Sequence, residues 1–251
     1  MIGSRWARLL PMALLFFVVP DVYSANKHEE TKTDRAVTNT KVYPLDEAHK
    51  DLSFKIFRDQ FIEAVRRRDV KRIGEFLDTE FVYGFGGGSR EDLLEDLDTK
   101  SIHGFYDGSR ENLSEDMERR TELWEELDAL LALGGYFVGP DEFVAPYTFL
   151  MFPEEICSDY YVFLCYVIVG SRVNVRVAPD INSPISFQLS HDVVSVDNGE
   201  YVRRNTWLGI VTLDGRKGYV HRKYVRSELD YRMFFRRDHG KWIATGLYTG
   251  D

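Results

Sequence analysis

The most restrictive feature of this chain is a series of short alternating segments between residues 173 and 225. Valines at 173, 175 and 177 alternate with polar or small residues, and this period of two is typical of a half-buried strand. Ala178-Pro179-Asp180 ends that strand in a turn, and Asp214-Gly215 favours a type I′ hairpin turn further on. Between these turns lie three more β-type runs, at 184–189, 193–196 and 207–213. Short strands separated by turns over about 55 residues predict a small β-barrel.

Three motifs in this region resemble the bacterial SH3-like (SH3b) family. The first strand reads Val-Asn-Val-Arg from Val173 and is followed by Pro179, and a middle strand begins with Trp207. Residues 215–225 read Gly-Arg-Lys-Gly-Tyr-Val-His-Arg-Lys-Tyr-Val, which is similar to the family's closing pattern of G-x-x-G, an aromatic residue and a later Tyr-Val. The resemblance implies a binding module and leaves its ligand open.

SH3-like barrels recognise extended ligands along a groove lined by aromatic and loop residues, so the resemblance implies such a groove here. The ligand-binding candidates are Arg176, Pro179, Trp207, Tyr219 and Tyr224. Aromatic rings stack on sugars or peptides, and an arginine is suited to pair with a carboxylate. The alternative for each residue is structural: Trp207 and Tyr219 as core residues, and Arg176 as the anchor of a turn.

Residues 1–25 have the composition of a signal peptide. Arg5 and Arg8 precede an apolar run at 9–20, and Val22-Tyr23-Ser24 suits cleavage after Ser24, with cleavage after Ala25 as the alternative. The apolar run is shorter than the ~20 residues that cross a bilayer, and no later run reaches that length. The sequence therefore predicts a periplasmic or secreted protein without a transmembrane segment.

The chain has two cysteines, Cys157 and Cys165. An even count in an oxidising compartment permits one disulfide between them. The alternative is a buried free Cys165 and an unrelated Cys157, since geometry decides which cysteines pair. No histidine lies near enough in sequence to complete a metal site, and we predict neither a metal nor a cofactor.

The formal net charge of −9 at pH 7 is unevenly distributed along the chain. Residues 86–128 contain 14 acids and five bases, whereas residues 170–251 contain 13 bases and nine acids. The basic part favours an anionic partner such as a cell-wall polymer. Its excess of positive charge is too small to indicate nucleic acid as a partner.

Residues 26–46 are polar and predict a disordered leader, and residues 47–160 predict a mainly helical domain. Apolar residues recur at helical spacing over 52–65, a second helix is expected at 70–77, and Phe81-Val82-Tyr83 predicts a brief strand. This part resembles the opening of NTF2-like (cystatin-like α+β) domains through one run of residues: Phe54, Phe57, Phe61, Ala64, Val65, Asp69 and Ile73.

Residues 82–100 and 102–120 form a direct repeat with a period of 20, identical at nine of 19 aligned positions. Each copy predicts a Gly-rich turn, a serine N-cap and a short acidic helix. A further amphipathic helix is expected from Thr121, closed by Gly134-Gly135. Two copies are too few for a solenoid, so a local duplication is the simpler interpretation.

The whole chain predicts an α+β protein. A mainly helical N-terminal domain at 47–160, carrying the duplication, is followed by a small SH3-like barrel at 161–229 and a β-hairpin at 230–251. We expect the hairpin to pack on the N-terminal domain.

The sequence lacks the signatures of several catalytic sites. The Gly-rich run at 84–90 has neither the lysine of a phosphate loop nor the third glycine of a dinucleotide loop. There is no G-x-S-x-G elbow or H-E-x-x-H cluster, and neither cysteine suits a nucleophile. We therefore predict no catalytic residue and a non-enzymatic protein that binds cell-wall peptidoglycan or a peptide partner in the envelope. The alternatives are an envelope enzyme with its site in the helical domain and the barrel as targeting module, and a scaffold protein.

Overall fold

Two β-sheets organise the part of the chain that the computed structural model describes, which is residues 37–38, 41–98, 110–149, 157, 165–196 and 206–250. The predicted signal peptide lies outside these residues. For 37–38 and 110–120 only the backbone is described. The described residues from 37 to 250 belong to one compact unit.

In chain order the elements are β1 (Val37–Thr38), β2 (Lys41–Val42), α1 (Leu52–Arg66), α2 (Val70–Phe76), β3 (Leu77–Gly84), β4 (Gly88–Ser89), α3 (Arg90–Leu97), α4 (Arg110–Ala132), β5 (Tyr136–Gly139), β6 (Glu142–Ala145), β7 (Cys165–Ile168), β8 (Val173–Arg176), β9 (Ile185–Leu189), β10 (Val193–Val196), β11 (Trp207–Thr212), β12 (Lys217–His221), β13 (Val225–Ser227), β14 (Arg232–Asp238) and β15 (Lys241–Tyr248).

The first sheet has six strands in the order β4-β3-β15-β14-β6-β5. Strand β15 pairs parallel with β3, and the other neighbours pair antiparallel. Helix α1 begins where Asp51 accepts a hydrogen bond from the Phe54 N–H at 2.9 Å. Its apolar face then packs on this sheet, because the helix presents one stripe of large side chains.

Aromatic rings fill the space between α1 and the six-stranded sheet. Phe54 and Phe61 of the helix and Phe143 and Phe235 of the sheet are almost completely buried. The centroid of the Phe54 ring lies 4.2 Å from that of Phe143 and 4.8 Å from that of Trp242. This layer is a packed core with large hydrophobic contact area.

The second sheet has seven strands in the order β13-β7-β10-β11-β12-β8-β9, all of them antiparallel. Alternate residues of these strands point to an apolar cluster on one face, as the period of two requires. The buried members of that cluster are Ile168, Val173, Val175, Leu189, Val194, Val196, Leu208, Ile210, Val220 and Val225.

A third apolar cluster lies on the other face of β7 and β10. Val167 and Val193 from these strands pack with Val42 and with Tyr147, which follows β6. Cys157 and Cys165 belong to the same cluster, are buried and are joined by a disulfide. Tyr147 and Cys157, which follow β6 in the chain, therefore pack against the seven-stranded sheet.

The fold class predicted from the sequence is wrong. The structure has two large sheets, and the four helices of the described residues accompany a six-stranded sheet in place of a mainly helical N-terminal domain. The prediction of a small C-terminal barrel is wrong as well, because this part forms a sheet of seven strands. The hairpin β14–β15 is not an appendage to that sheet, since both of its strands lie in the centre of the six-stranded sheet. Sequence period indicates that a segment is a strand, but it does not tell which distant strand it pairs with.

Several local predictions are confirmed and others need correction. The strands expected near 173, 185, 193 and 207 are present, and the hairpin β14–β15 pairs with β3 and β6 of the N-terminal part as expected. The loop after β11 is not a two-residue type I′ turn. Residues 213–216 separate β11 from β12, and of Asp214 and Gly215 only Gly215 takes a positive φ, of 83°. The acidic helix of the second repeat copy and the helix expected from Thr121 are one helix, α4.

Candidate ligand-binding face

The predicted ligand-binding residues come from strands β8, β11 and β12, from the loop after β8 and from the turn that follows β12. In the sheet register Trp207 lies opposite His221, and Gly209 lies opposite Tyr219. Tyr219 in turn lies opposite Arg176 of β8. Residues directly opposite each other in a sheet point to the same side, so these side chains share one face, away from the apolar cluster. We call Arg176, Trp207, Tyr219, His221 and Tyr224 the aromatic face.

Three rings of the aromatic face form a row. The centroids of Trp207 and His221 are 5.4 Å apart, with the ring planes at 67°. The centroids of His221 and Tyr224 are 6.3 Å apart, at 69°. Trp207 and His221 are half-buried, and the Tyr224 side chain keeps 39% of its surface exposed. The row is therefore accessible to a ligand. The sequence alone did not establish this, because Trp207 was equally compatible with a place in the core.

Arg176 and Pro179 take different places from the rings. The Arg176 Nη1 donates to the Ser183 carbonyl at 2.6 Å, so this arginine anchors the loop between β8 and β9. The same loop is closed by the Ala178 N–H, which donates to the Ser183 hydroxyl at 2.9 Å. Pro179 lies exposed in that loop. Arg176 therefore anchors a turn, as its structural alternative proposed, and it also lies on the aromatic face. Pro179 lies at the margin of that face.

The approach of β12 to β8 depends on one glycine. A Cβ atom at Gly218 would lie 2.6 Å from Cγ1 of Val175 and 3.0 Å from the Arg176 carbonyl oxygen. Any larger residue would push the two strands apart at the point where Tyr219 meets Arg176.

The electrostatic character of this face is cationic. Its positions on β8, β11 and β12 are Asn174, Arg176, Trp207, Gly209, Val211, Lys217, Tyr219 and His221, and none of these is acidic. Just beyond β12, the Lys223 ammonium lies 5.0 Å from the centre of the Tyr224 ring. Burial and the nearby Lys223 charge hold the pKa of His221 below its ordinary value, which favours the neutral ring.

His221 was missed in the sequence analysis. Its position carried a usable signal, because His221 follows Tyr219 at the two-residue spacing that places side chains on one face of a strand. We overlooked it because an isolated histidine has no catalytic or metal-binding partner in the sequence.

The N-terminal part has an open depression of about 410 Å³ at the start of α1. Its walls are Lys50, Asp51 and residues 137–140. Both charged groups are already paired, Lys50 with Glu47 and Asp51 with Arg237. This geometry does not provide the deep pocket of convergent polar groups that the enzyme alternative requires. Across the described residues, no cluster of three or more metal-ligating side chains occurs.

In the part of the chain that the structure describes, no helix has both the length and the apolar character needed to cross a membrane. No family model, curated protein or solved structure matches the chain. The SH3b and NTF2-like resemblances therefore stay predictions.

Proposed function

We propose that this chain is an exported, non-enzymatic protein of the cell envelope whose aromatic face binds cell-wall peptidoglycan. The observation that supports this most directly is the accessible row of Trp207, His221 and Tyr224 on a face whose positions on β8, β11 and β12 include no acidic residue. The SH3b resemblance of residues 173–225 and the signal-like residues 1–25 favour the same proposal.

The chemistry of the face suits such a polymer. The flat apolar side of a sugar ring packs on an aromatic ring, and half-buried rings in a row offer successive contacts to an extended chain. Lys223 supplies positive charge for the carboxylates of the peptide stems. Binding of this kind needs an open surface rather than an enclosed pocket.

Co-sedimentation with purified peptidoglycan sacculi tests the proposal. Wild-type protein is expected to be retained, and Tyr224→Ala is expected to raise the dissociation constant roughly 3- to 10-fold through loss of one stacking contact. Tyr43→Ala is the matched control, because Tyr43 is 42% exposed and contacts His191 away from the aromatic face. Absence of wild-type retention, or equal losses in both variants, would exclude this function.

A peptide partner is the second candidate, and a different surface favours it. Val177, Ile181 and Ile185 keep 62%, 63% and 51% of their surface exposed around β9. Strand β9 is the last in the sheet order, and a strand at a sheet edge accepts a peptide by strand addition. Ile185→Lys would then abolish peptide binding measured by calorimetry, whereas Tyr224→Ala would leave it unchanged.

A further inference from the structure

His221 has a defined protonation pattern because of the turn that follows β12. The Lys223 backbone N–H donates to the His221 Nδ1 at 3.3 Å, and this bond caps the short helical turn Arg222–Tyr224. A backbone N–H acts only as a donor, so Nδ1 must carry the lone pair. In the neutral ring the proton is therefore on Nε2.

The Nε2–H group of His221 lies on the ring edge opposite this bond. The ring sits between Trp207 and Tyr224 and is half-buried. Within the described residues, no acceptor is bonded to Nε2. The aromatic face thus contains one fixed, neutral hydrogen-bond donor between two rings.

We propose that His221 is the specificity-determining residue of the aromatic face and donates from Nε2 to an amide carbonyl of the ligand. This inference rests on the proposed function. Peptidoglycan contains amide carbonyls in the acetamido groups of its sugars and in its peptide stems, and both are neutral acceptors. A fixed donor discriminates against a ligand without the acceptor, because binding then leaves the N–H desolvated and unpaired.

His221 differs from the other donors of the aromatic face because a backbone bond fixes which of its ring nitrogens carries the proton. Lys223 attracts carboxylates as a point charge, and one N–H of Arg176 is bonded to the Ser183 carbonyl. The tyrosine hydroxyls both donate and accept, and the Trp207 indole N–H is a second neutral donor. An amide carbonyl is a stronger acceptor than a sugar hydroxyl, so the Nε2–H of His221 favours an amide over a plain hydroxylated sugar.

Two substitutions separate the donor from the cap. The Asn oxygen in His221→Asn occupies the place of Nδ1 and still accepts from the Lys223 N–H, but the variant has no group at the place of Nε2. The Gln amide in His221→Gln reaches the place of Nε2 and donates, but it leaves the Lys223 N–H without its partner. We expect H221N to keep the wild-type melting temperature and lose roughly tenfold in affinity for sacculi. H221Q is expected to keep most of the affinity with a lower melting temperature.

Soluble probes identify which amide is bound. If the acetamido group is the source, wild-type protein binds a β-1,4 tetramer of N-acetylglucosamine more tightly than cellotetraose, and H221N loses this preference. If the stem is the source, H221N loses affinity for a synthetic stem peptide and binds both sugars like the wild type.

The inference is overturned if wild-type protein binds sacculi and H221N binds them equally well, or if H221N loses affinity for neither probe. Absence of wild-type binding to sacculi instead overturns the proposed function, and this inference with it.

Discussion

Arg226 is a buried cation where α4, β13 and the start of β14 meet. Its Nη1 lies 2.5 Å from the Glu126 carboxylate, and its Nη2 donates to the Tyr231 carbonyl at 2.9 Å. Asp230 lies 3.6 Å from the Arg226 Nε and is also paired with Arg222 at 2.8 Å. Arg226 and Asp230 are almost inaccessible, so each charge depends on the others for compensation.

Arg226→Met is expected to lower the free energy of unfolding by about 3–5 kcal/mol, because it leaves the carboxylates of Glu126 and Asp230 without their buried partner. Urea denaturation measures this loss. The control is Arg66→Met, since the Arg66–Asp128 pair is half-exposed at 3.5 Å and is expected to contribute under about 1 kcal/mol. Equal losses in the two variants would show that the Arg226 network contributes no more to stability than an exposed ion pair.

The same network sets a pH dependence. Burial favours a raised pKa for Asp230, but the charges of Arg226 and Arg222 outweigh it, and the pKa of Asp230 is lowered. A carboxyl group whose pKa is lower in the folded state adds stability above its unfolded pKa of about 4, and this stability is lost as the pH falls through the folded value. In Arg226→Met the pKa of Asp230 rises, so we expect its acid unfolding midpoint to move to higher pH.

Among the secondary-structure elements, α3 shows how the repeated motif specifies a helix start. The Ser89 side chain accepts from the Asp92 N–H at 3.2 Å, and the Asp92 carboxylate accepts from the Ser89 N–H at 2.7 Å. This reciprocal capping box satisfies two free N–H groups at the start of the helix. In the second copy Arg110, the first residue of α4, aligns with Arg90, the first residue of α3. Its predicted cap, Ser109, lies outside the described residues.

Ser89→Ala is expected to destabilise the protein by about 1 kcal/mol, because the N-terminal turn of α3 loses its cap. Leu93 and Leu97 of α3 are fully buried, so a frayed start loosens their packing. Thermal unfolding followed by circular dichroism measures the change. Ser89→Thr retains the capping hydroxyl, which also donates to the Asp92 carboxylate at 2.7 Å, and should restore the wild-type melting temperature. If S89T is as unstable as S89A, the effect does not come from the cap.

The sequence predicts elements well where one period dominates. Helix α1 and strands β8, β10 and β11 follow from their apolar spacing, and the shared face of Trp207 and Tyr219 follows from the alternation. Strands β5 and β6 have apolar residues at adjacent positions, so neither shows a period of two like that of β8. The length of α4 was underestimated because we treated the duplication boundary as a helix end, although no Gly or Pro lies between Arg110 and Ala132.

At the scale of the whole molecule, the chain crosses between the two sheets twice. It builds β3 to β6 of the first sheet, forms the second sheet from β7 to β13, and returns to place β14 and β15 between β3 and β6. Two ion pairs are among the long-range contacts that join the parts: Lys41 pairs with Asp192 at 2.9 Å, and Arg226 pairs with Glu126. No pattern within the hairpin itself indicates this central position, because its partners lie far earlier in the chain.

Because β14 and β15 lie in the centre of the first sheet, we predict that removal of residues 230–251 abolishes folding of the N-terminal part. The truncation takes Met233, Phe235, Trp242 and Leu247 out of the main core, and each large buried side chain contributes on the order of 2–5 kcal/mol. Their sum, about 8–20 kcal/mol, is comparable to or larger than the ~5–15 kcal/mol that stabilises a typical domain, so a fragment ending at Leu229 should show no cooperative thermal transition by circular dichroism. Lys241→Ser, at an exposed position of β15, should melt like the wild type. A cooperative transition in the fragment close to that of the full chain would mean that the first sheet is stable without its two central strands.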